Sequence, residues 1–307
     1  MIKIGENIHI ISDKVKEALK ERDGAFFVNL VRAQKEAGAD VIDLNIGRRK
    51  KDGPEVVDWL VDCVQEAVGD ITISFDTTNL AAIEAGLKRV GSNGIVNSTS
   101  AEEERLATVP PLAAQYDAKL IALCLEKSGI PVSADARIGI ALETLIPRAQ
   151  EVGIPIENLF VDPLILTVSG CQEYVPEAIE TVRMIKMVMD PPPMTVVGLS
   201  NVSNQVPDEM RPLLDRVHMV MLMGAGLDAA IMNPLDKKLA EAIRVVEERD
   251  DSTPVGALYI KLFDAVAAME ELQPEDVDMS DPEQEAIWKT VQVLLNKVIY
   301  TDSYLRH

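Results

Sequence analysis

Positive charge is the first thing this sequence is short of. It carries 30 Lys and Arg against 50 Asp and Glu, a formal net charge of −20. A surface with that balance repels phosphate backbones and anionic headgroups, which argues against sequence-independent binding to nucleic acid or to a membrane surface. Cysteine is scarce as well. Cys63, Cys124 and Cys171 lie far apart with no Cys-x-x-Cys spacing, so they read as free thiols in a reducing compartment. No uninterrupted apolar run is long enough to span a bilayer, and residues 1–7 lack the basic region and long apolar stretch of a signal peptide. The expectation is a cytoplasmic protein. His9, His218 and His307 are scattered and no strand end carries a His or Cys cluster, which makes a zinc-hydrolase site improbable and predicts no protein-bound metal. Neither a Gly-x-x-x-x-Gly-Lys-Ser/Thr run nor a strand-linked Gly-x-Gly-x-x-Gly occurs, so the usual nucleotide cradles are missing. Among lysines, only Lys127 falls near the end of a strand, a weak candidate for Schiff-base chemistry.

What is present is a repeated event. Short apolar, β-branched runs at 41–45, 71–76, 94–97, 159–162 and 229–233 each end in Asp or Asn and lead into a helical pattern. The run opening at Thr195 ends instead in Gly198, Ser200, Asn201 and Asn204. With a first strand at 2–4 that leaves through Gly5, Glu6 and Asn7, and a fifth at 118–125, the chain offers eight strand-then-helix units. The helical patterns are expected at 13–37 with an interruption near 23–24, then 54–69, 79–89, 133–152, 176–189, 212–223 and 234–248. Ser100 and Glu103 fit a capping box for a further helix after the fourth strand. Eight such units select a (β/α)₈ barrel over an open sheet. One domain, 1–307, suffices: the barrel occupies about 1–248, and helices over 256–272 and 281–300 pack outside it or against another subunit. Because parallel crossovers are right-handed, every strand presents its C-terminal end to one face. That geometry gathers Asp43, Asn45, Asp76, Asn97, Asp162, Asn201 and Asn233 around a single mouth.

A ring of carboxylates and amides suits a flat heterocycle with alternating donors and acceptors. A carboxylate accepts two parallel N–H bonds from an amino-pyrimidine edge, and an amide can donate to its carbonyl while accepting from a ring N–H. A pterin has such an edge. A sugar or a magnesium ion would take many of the same groups, so composition leaves all three readings open, including a magnesium-assisted aldolase or lyase. The basic loop Arg48, Arg49, Lys50 and Lys51 reads as a solvated loop that could meet an anionic tail.

Phe75-Asp76-Thr77-Thr78-Asn79, Asn97-Ser98-Thr99-Ser100, Asp162-Pro163-Leu164-Ile165-Leu166 and Gly198-Leu199-Ser200-Asn201-Val202-Ser203, with the opening Gly5-Glu6-Asn7, resemble the pterin-binding methyltransferase family. Within it, the likeness is nearest to the methyltetrahydrofolate:corrinoid (iron-sulfur) protein methyltransferases. Dihydropteroate synthases and the folate domain of cobalamin-dependent methionine synthase are more distant. The resemblance runs from the first strand through the eighth and on to residues 300–303. It implies that Asp76, Asn97 and Asp162 hold the pterin edge, that Gly198 and Ser200 line the slot, and that Asn201 lies near the methylated ring nitrogen. It places Glu6, Asn7 and Arg211 at the mouth or along the folate tail. Asn201 and Asp76 are the catalytic candidates. Methyltetrahydrofolate or tetrahydrofolate is the implied substrate, and the corrinoid, a cobalamin, is the implied cofactor carried by a partner corrinoid protein. A homodimer is implied too, with Ile260, Leu262, Phe263, Val266, Val291, Val293, Leu294, Leu295 and Val298 offering apolar surface. Asn7 departs from the family, where an arginine is common, and residues 249–253 look like an insertion. A dihydropteroate-synthase-like enzyme and a non-enzymatic folate-binding module are the alternatives.

Overall fold

The structure is a computed structural model that describes residues 1–305; His307 lies outside the described residues. Eight parallel strands close into a barrel in sequence order, with β8 pairing β1. They are β1 (Ile2–His9), β2 (Val41–Asn45), β3 (Thr72–Asp76), β4 (Gly94–Ser100), β5 (Lys119–Leu123), β6 (Leu159–Asp162), β7 (Met194–Gly198) and β8 (Ala229–Met232). The helices between them are α1 (Asp13–Glu21), α2 (Gly24–Glu36), α3 (Gly53–Val68), α4 (Leu80–Val90), α5 (Glu103–Gln115), α6 (Ala134–Ile140), α7 (Ile146–Glu151), α8 (Val168–Cys171), α9 (Val175–Met187), α10 (Arg211–Gly224) and α11 (Lys237–Glu248). Three more follow the barrel: α12 (Pro254–Ala267), α13 (Pro282–Leu294) and α14 (Asp302–Leu305).

Strand alternation decides what lies where. Ile4, Val41, Ile95, Ile121, Phe160, Val196 and Ala229 form one buried cluster inside the barrel. Their chain neighbours Ile42, Val96, Leu120, Leu159 and Val161 pack outward in the cluster under the helices. Two residues beyond each inward apolar side chain the next inward position is reached, at the C-terminal end. There stand Glu6 after Ile4, Asp43 and Asn45 after Val41, Asn97 after Ile95, Asp162 after Phe160 and Gly198 after Val196. The apolar floor and the polar mouth are thus consecutive layers of one period-2 pattern.

Helix starts follow local capping. Ser12, Asp23, Asn79, Ser133, Asp236, Thr253 and Asp281 each accept a backbone N–H from the first turn of the helix they precede. The interruption expected near 23–24 is real: Arg22 is left-handed, and Asp23 caps α2 afresh. Other boundaries differ for identifiable reasons. The first strand does not leave at Gly5 but runs to His9, with a register shift between Gly5 and Ile8. Ser100 and Glu103 form no capping box, because β4 stays paired with β5 through Ser100 and the Ser100 hydroxyl accepts from the Glu102 N–H at 3.4 Å. The helix expected over 133–152 widens into a π segment at Ala141–Leu145. Pro147, which follows, cannot donate its backbone nitrogen to a regular helical bond. Pro234 does not open α11, since the Asn233 side chain first turns the chain by accepting from the Leu235 N–H at 3.0 Å.

The terminal helices lie on their own barrel. Ile260, Leu262, Val266, Val291, Val293 and Leu294 are buried in one cluster with Leu214, Val217, Val220 and Met221 of α10. The apolar residues proposed for a dimer face are therefore largely consumed within the chain. Among the described residues no helix is long and apolar enough to cross a membrane.

The register shift in β1 depends on a glycine. The fully buried Gln34 lays its side-chain oxygen beside Gly5, 2.4 Å from where a Cβ would stand, and that oxygen accepts the Asn7 N–H at 3.2 Å. Gly5→Ala is expected to lower unfolding stability by about 1–2 kcal/mol, overpacking and the loosened bond outweighing the gain of about 0.5–1 kcal/mol from removing glycine entropy. Urea denaturation checks it, and an unchanged midpoint would show that Gln34 moves aside freely.

Candidate functional site

The barrel mouth is built from side chains that bind one another before any ligand arrives. Strand pairing sets Asn45 opposite Asp76 and Asp76 opposite Asn97. Asn45 donates to the Asp76 carboxylate, while its own oxygen accepts the Gly47 N–H at 3.2 Å. Asp43, one layer deeper, accepts from Ser74 at 2.6 Å and from the Asn97 amide at 3.2 Å. The Asn97 side chain is thereby oriented from below, and its oxygen is free to accept from a bound ring. Asp76 and Asn97 thus sit opposite each other on paired strands of the β2–β4 wall, each held by its own set of hydrogen bonds.

Asp162 stands at the end of β6, opposite Leu123 in the pairing with β5. Pro163 ends the strand, and the next residue, Leu164, turns with positive φ so that its N–H reaches the Asp162 carboxylate at 2.7 Å. Only one carboxylate oxygen is occupied by this bond. Beyond β7 the chain winds into a 3₁₀ turn, Leu199–Ser203, which lifts Asn201 to the exposed rim. The Asn201 amide nitrogen lies 3.1 Å from the place a Cβ at Gly198 would take, so glycine there leaves room for the asparagine. Ser200 donates to Glu6 at 3.2 Å, and Asn7 donates to Asn233 at 2.9 Å, closing the seam between β1 and β8.

Arg211 does not join the Asp76–Asn97 wall. It donates to Ser203 at 3.3 Å and lies 3.8 Å from Asp208. With Glu6, Ser200, Asp215 and Asn233 it lines a separate side pocket of about 240 Å³ that meets the mouth at Ser200. Asp43, placed at the mouth by the sequence, proves to hold Asn97 from below, and two residues that the sequence did not single out also appear: Ser74, which donates to Asp43, and Asp215, which lines the side pocket with Glu6. A buried acid after an inward valine could have exposed the role of Asp43, whereas Asp215 on α10 reads as any charged helix residue. Arg48 and Lys50 are exposed, and Arg49 pairs with Asp52 at 2.5 Å. His9 and His218 hold no shared site: His218 is fully buried on α10, and burial pushes its pKa down to about 3, so it is neutral. Cys63 and Cys124 are buried free thiols and Cys171 is partly exposed.

The carboxylates at this end are difficult to ionise, and burial is the main cause throughout. Glu6 is pushed up to about 7, its Ser200 bond opposing the shift. Asp162 is pushed up to about 7 against the lowering effects of the Leu164 N–H and the Arg137 cation. Asp76 rises to about 6 despite the Asn45 bond, and Asp215 to about 6. Asp43 is raised well above its ordinary range by burial and by the neighbouring Asp76 charge. Such groups prefer a proton, or N–H donors that replace lost water.

A stability trend follows from these shifts. A carboxyl whose folded pKa is raised binds its proton more tightly when folded, so its stabilising contribution is complete below the unfolded pKa, near 3.8 for Asp162, and lost as pH rises through about 7. The ligand-free protein should lose stability from about pH 4 to pH 7, and Asp162→Asn should remove about 2–4 kcal/mol of that loss. Denaturant titrations across this range test it; equal slopes in the two proteins would contradict it.

The chain is similar to proteins of known family. The family model described as pterin binding enzyme matches residues 10–233. The methylcorrinoid:tetrahydrofolate methyltransferase of Eubacterium limosum is 28% identical over 265 residues, 86% of this chain and 96% of that protein. Methionine synthase of Mycobacterium tuberculosis is 26% identical over 287 residues, 86% of this chain, but the match spans only 24% of its length. Among solved structures, a Yersinia pestis DHPS with a pterine-sulfa conjugate superposes with a TM-score of 0.54 over 82% of this chain and 94% of that one, at 17% identity, a likeness of fold. With a match over well more than half of its length, and an acid-and-amide mouth on an eight-stranded parallel barrel, the chain belongs to the pterin binding enzyme family.

Proposed function

We propose that the protein moves a methyl group between N-methyltetrahydrofolate and the cobalt of a corrinoid held by a partner protein. The observation that carries this reading is the convergence of Asp76, Asn97 and Asp162, from three separate strands, and of Asn201, from the turn after a fourth, on one end of the barrel. Support comes from the Eubacterium limosum relative, whose name describes this transfer and whose length the chain nearly spans.

Asp162 and Asn97 supply the acceptors and the donor that an amino-pyrimidine edge needs, and Asp76 extends the edge along the neighbouring strand. Asp43, itself held by the Ser74 hydroxyl, accepts from the Asn97 amide and fixes it in advance, which lowers the cost of ordering it on binding. Gly198 and Ser200 line the slot on the β7 side. The corrinoid supplies a cobalt nucleophile or a methyl donor, and the exposed position of Asn201 leaves the rim accessible to a docked partner.

The folate nitrogen bearing the methyl is an amine, a poor leaving group until it gains positive character. An asparagine has no proton to give near neutrality. Its carbonyl oxygen instead accepts from the protonated nitrogen and stabilises the charge that makes the methyl transferable, with Asp76 or a neighbouring group holding the water that relays the proton. Microscopic reversibility lets the same arrangement run from folate to cobalt or from methylcobalt to tetrahydrofolate.

Asn201→Ala should lower methyl transfer by about 10²-fold while changing folate affinity only a few-fold, since it acts on developing charge. Asp162→Ala should abolish binding. The visible spectra of cob(I)alamin with methyltetrahydrofolate, and of methylcobalamin with tetrahydrofolate, report both directions. Folate binding without spectral change in either mixture would leave a binding module, and equal affinity losses in the two variants with unchanged turnover of bound substrate would reverse the assigned roles.

A further inference from the structure

The basic loop between β2 and α3 has no part in the chemistry above. Arg48, Arg49, Lys50 and Lys51 form the only run of more than two consecutive cations in a chain whose formal net charge is −20. In so acidic a protein they make a local field of the opposite sign. Arg49 pairs with Asp52 at 2.5 Å. Arg48, Lys50 and Lys51 are exposed, and among the described residues no acid pairs with any of them.

Hydrogen bonds fix this loop at the barrel mouth. The Thr77 hydroxyl donates to the Gly47 carbonyl at 2.6 Å, and the Asn79 side chain donates to the Arg49 carbonyl at 2.8 Å. Thr77 directly follows Asp76, and Asn79 caps α4. Asn45, which donates to Asp76, also accepts the Gly47 N–H at 3.2 Å. The cations therefore stand on the rim, tied through Gly47 and Arg49 to the strand that carries Asp76. Directly after the run, α3 begins at Gly53, and the positive end of its dipole adds to the same field.

Asn97 and Asp162 are buried, so a pterin reaches them edge first and the rest of a folate leaves through the mouth. The far end of a folate is a p-aminobenzoyl group carrying glutamate, and each further γ-linked glutamate adds one carboxylate. Two other basic side chains at this end are already engaged. Arg105 donates to the Ser98 carbonyl, and Arg211 shares its pocket with Glu6, Asp208, Asp215 and Asp236, a poor place for a carboxylate.

Resting on the folate reading above, we infer that Arg48, Lys50 and Lys51 bind the glutamate tail of the substrate, which makes the γ-polyglutamyl form the preferred folate over the monoglutamate. Exposed ion pairs made by flexible side chains are individually weak, and only a chain of carboxylates engages several of them at once. Such attraction is screened by salt. In this arrangement none of the three cations touches the pterin, so the tail adds affinity without altering the methyl-transfer step.

Dissociation constants of tetrahydrofolate monoglutamate and pentaglutamate, measured with the full chain at low and high ionic strength, read this directly. The pentaglutamate should bind about tenfold more tightly near ~0.02 M salt, and its advantage should shrink to about twofold near ~0.5 M. Arg48→Gln, Lys50→Gln and Lys51→Gln combined should abolish the advantage at low salt while leaving monoglutamate affinity within about twofold of wild type. Equal affinity of wild type for the two folates, or an advantage that survives the three substitutions or high salt, would overturn the inference. So would a variant that keeps the advantage and transfers methyl more slowly to a corrinoid protein but not to free cobalamin, since the run would then serve partner docking. The salt series needs no variant, so it decides the matter even if the combined substitution fails to fold. Absence of monoglutamate binding by wild type would instead remove the folate reading on which this rests.

Discussion

The hydrogen-bonded closure of β8 onto β1 is the constraint everything else depends on. Once eight parallel strands share one register, alternation forces every second side chain toward the axis. A ring of Ile, Val, Phe and Ala fills the middle of the barrel, and the next inward position carries an acid, an amide or glycine on β1, β2, β4, β6 and β7, while β5 and β8 carry Leu123 and Ile231. Two strands break register where they deliver their polar groups, β1 between Gly5 and Ile8 and β4 between Asn97 and Thr99. The Asp43–Ser74 and Asn45–Asp76 bonds then lock neighbouring strands at the height of the site, so that the fold and the ligand-facing surface are held by the same contacts.

Charge is used in two opposed ways. Over the whole chain the excess of acid, a formal −20, lies mostly on solvated residues and favours solubility. At the mouth, by contrast, Glu6, Asp43, Asp76 and Asp162 are withdrawn from water and raised in pKa, which costs stability in the ligand-free protein. A ligand rich in N–H donors offsets that cost by replacing the lost solvent.

The barrel was legible because its signal is repeated: apolar runs ending in Asp or Asn, each followed by a helical period, leave few other topologies. The positions of Asp76, Asn97 and Asp162 at strand ends were legible for the same reason. What could not be read depends on the third dimension. Nothing in the local sequence distinguishes Ser100, still paired in β4, from a helix cap. Pro147 reads as an ordinary helix residue until its missing N–H widens the turn before it. Arg137 sits in a helix like any solvated arginine, and only the packing of α6 against α9 shows it fully enclosed. The apolar faces of α12 and α13 suggested a subunit interface because sequence cannot say which surface a helix covers; they cover α10.

The convergence of Asp76, Asn97, Asp162 and Asn201 on one planar ligand is tested most directly by a crystal structure of the protein with methyltetrahydrofolate bound. The amino-pyrimidine edge should lie against Asp76, Asn97 and Asp162, with the methylated nitrogen beside Asn201. Ligand found only in the side pocket between Glu6, Arg211 and Asp215, with those four side chains left uncontacted, would contradict it.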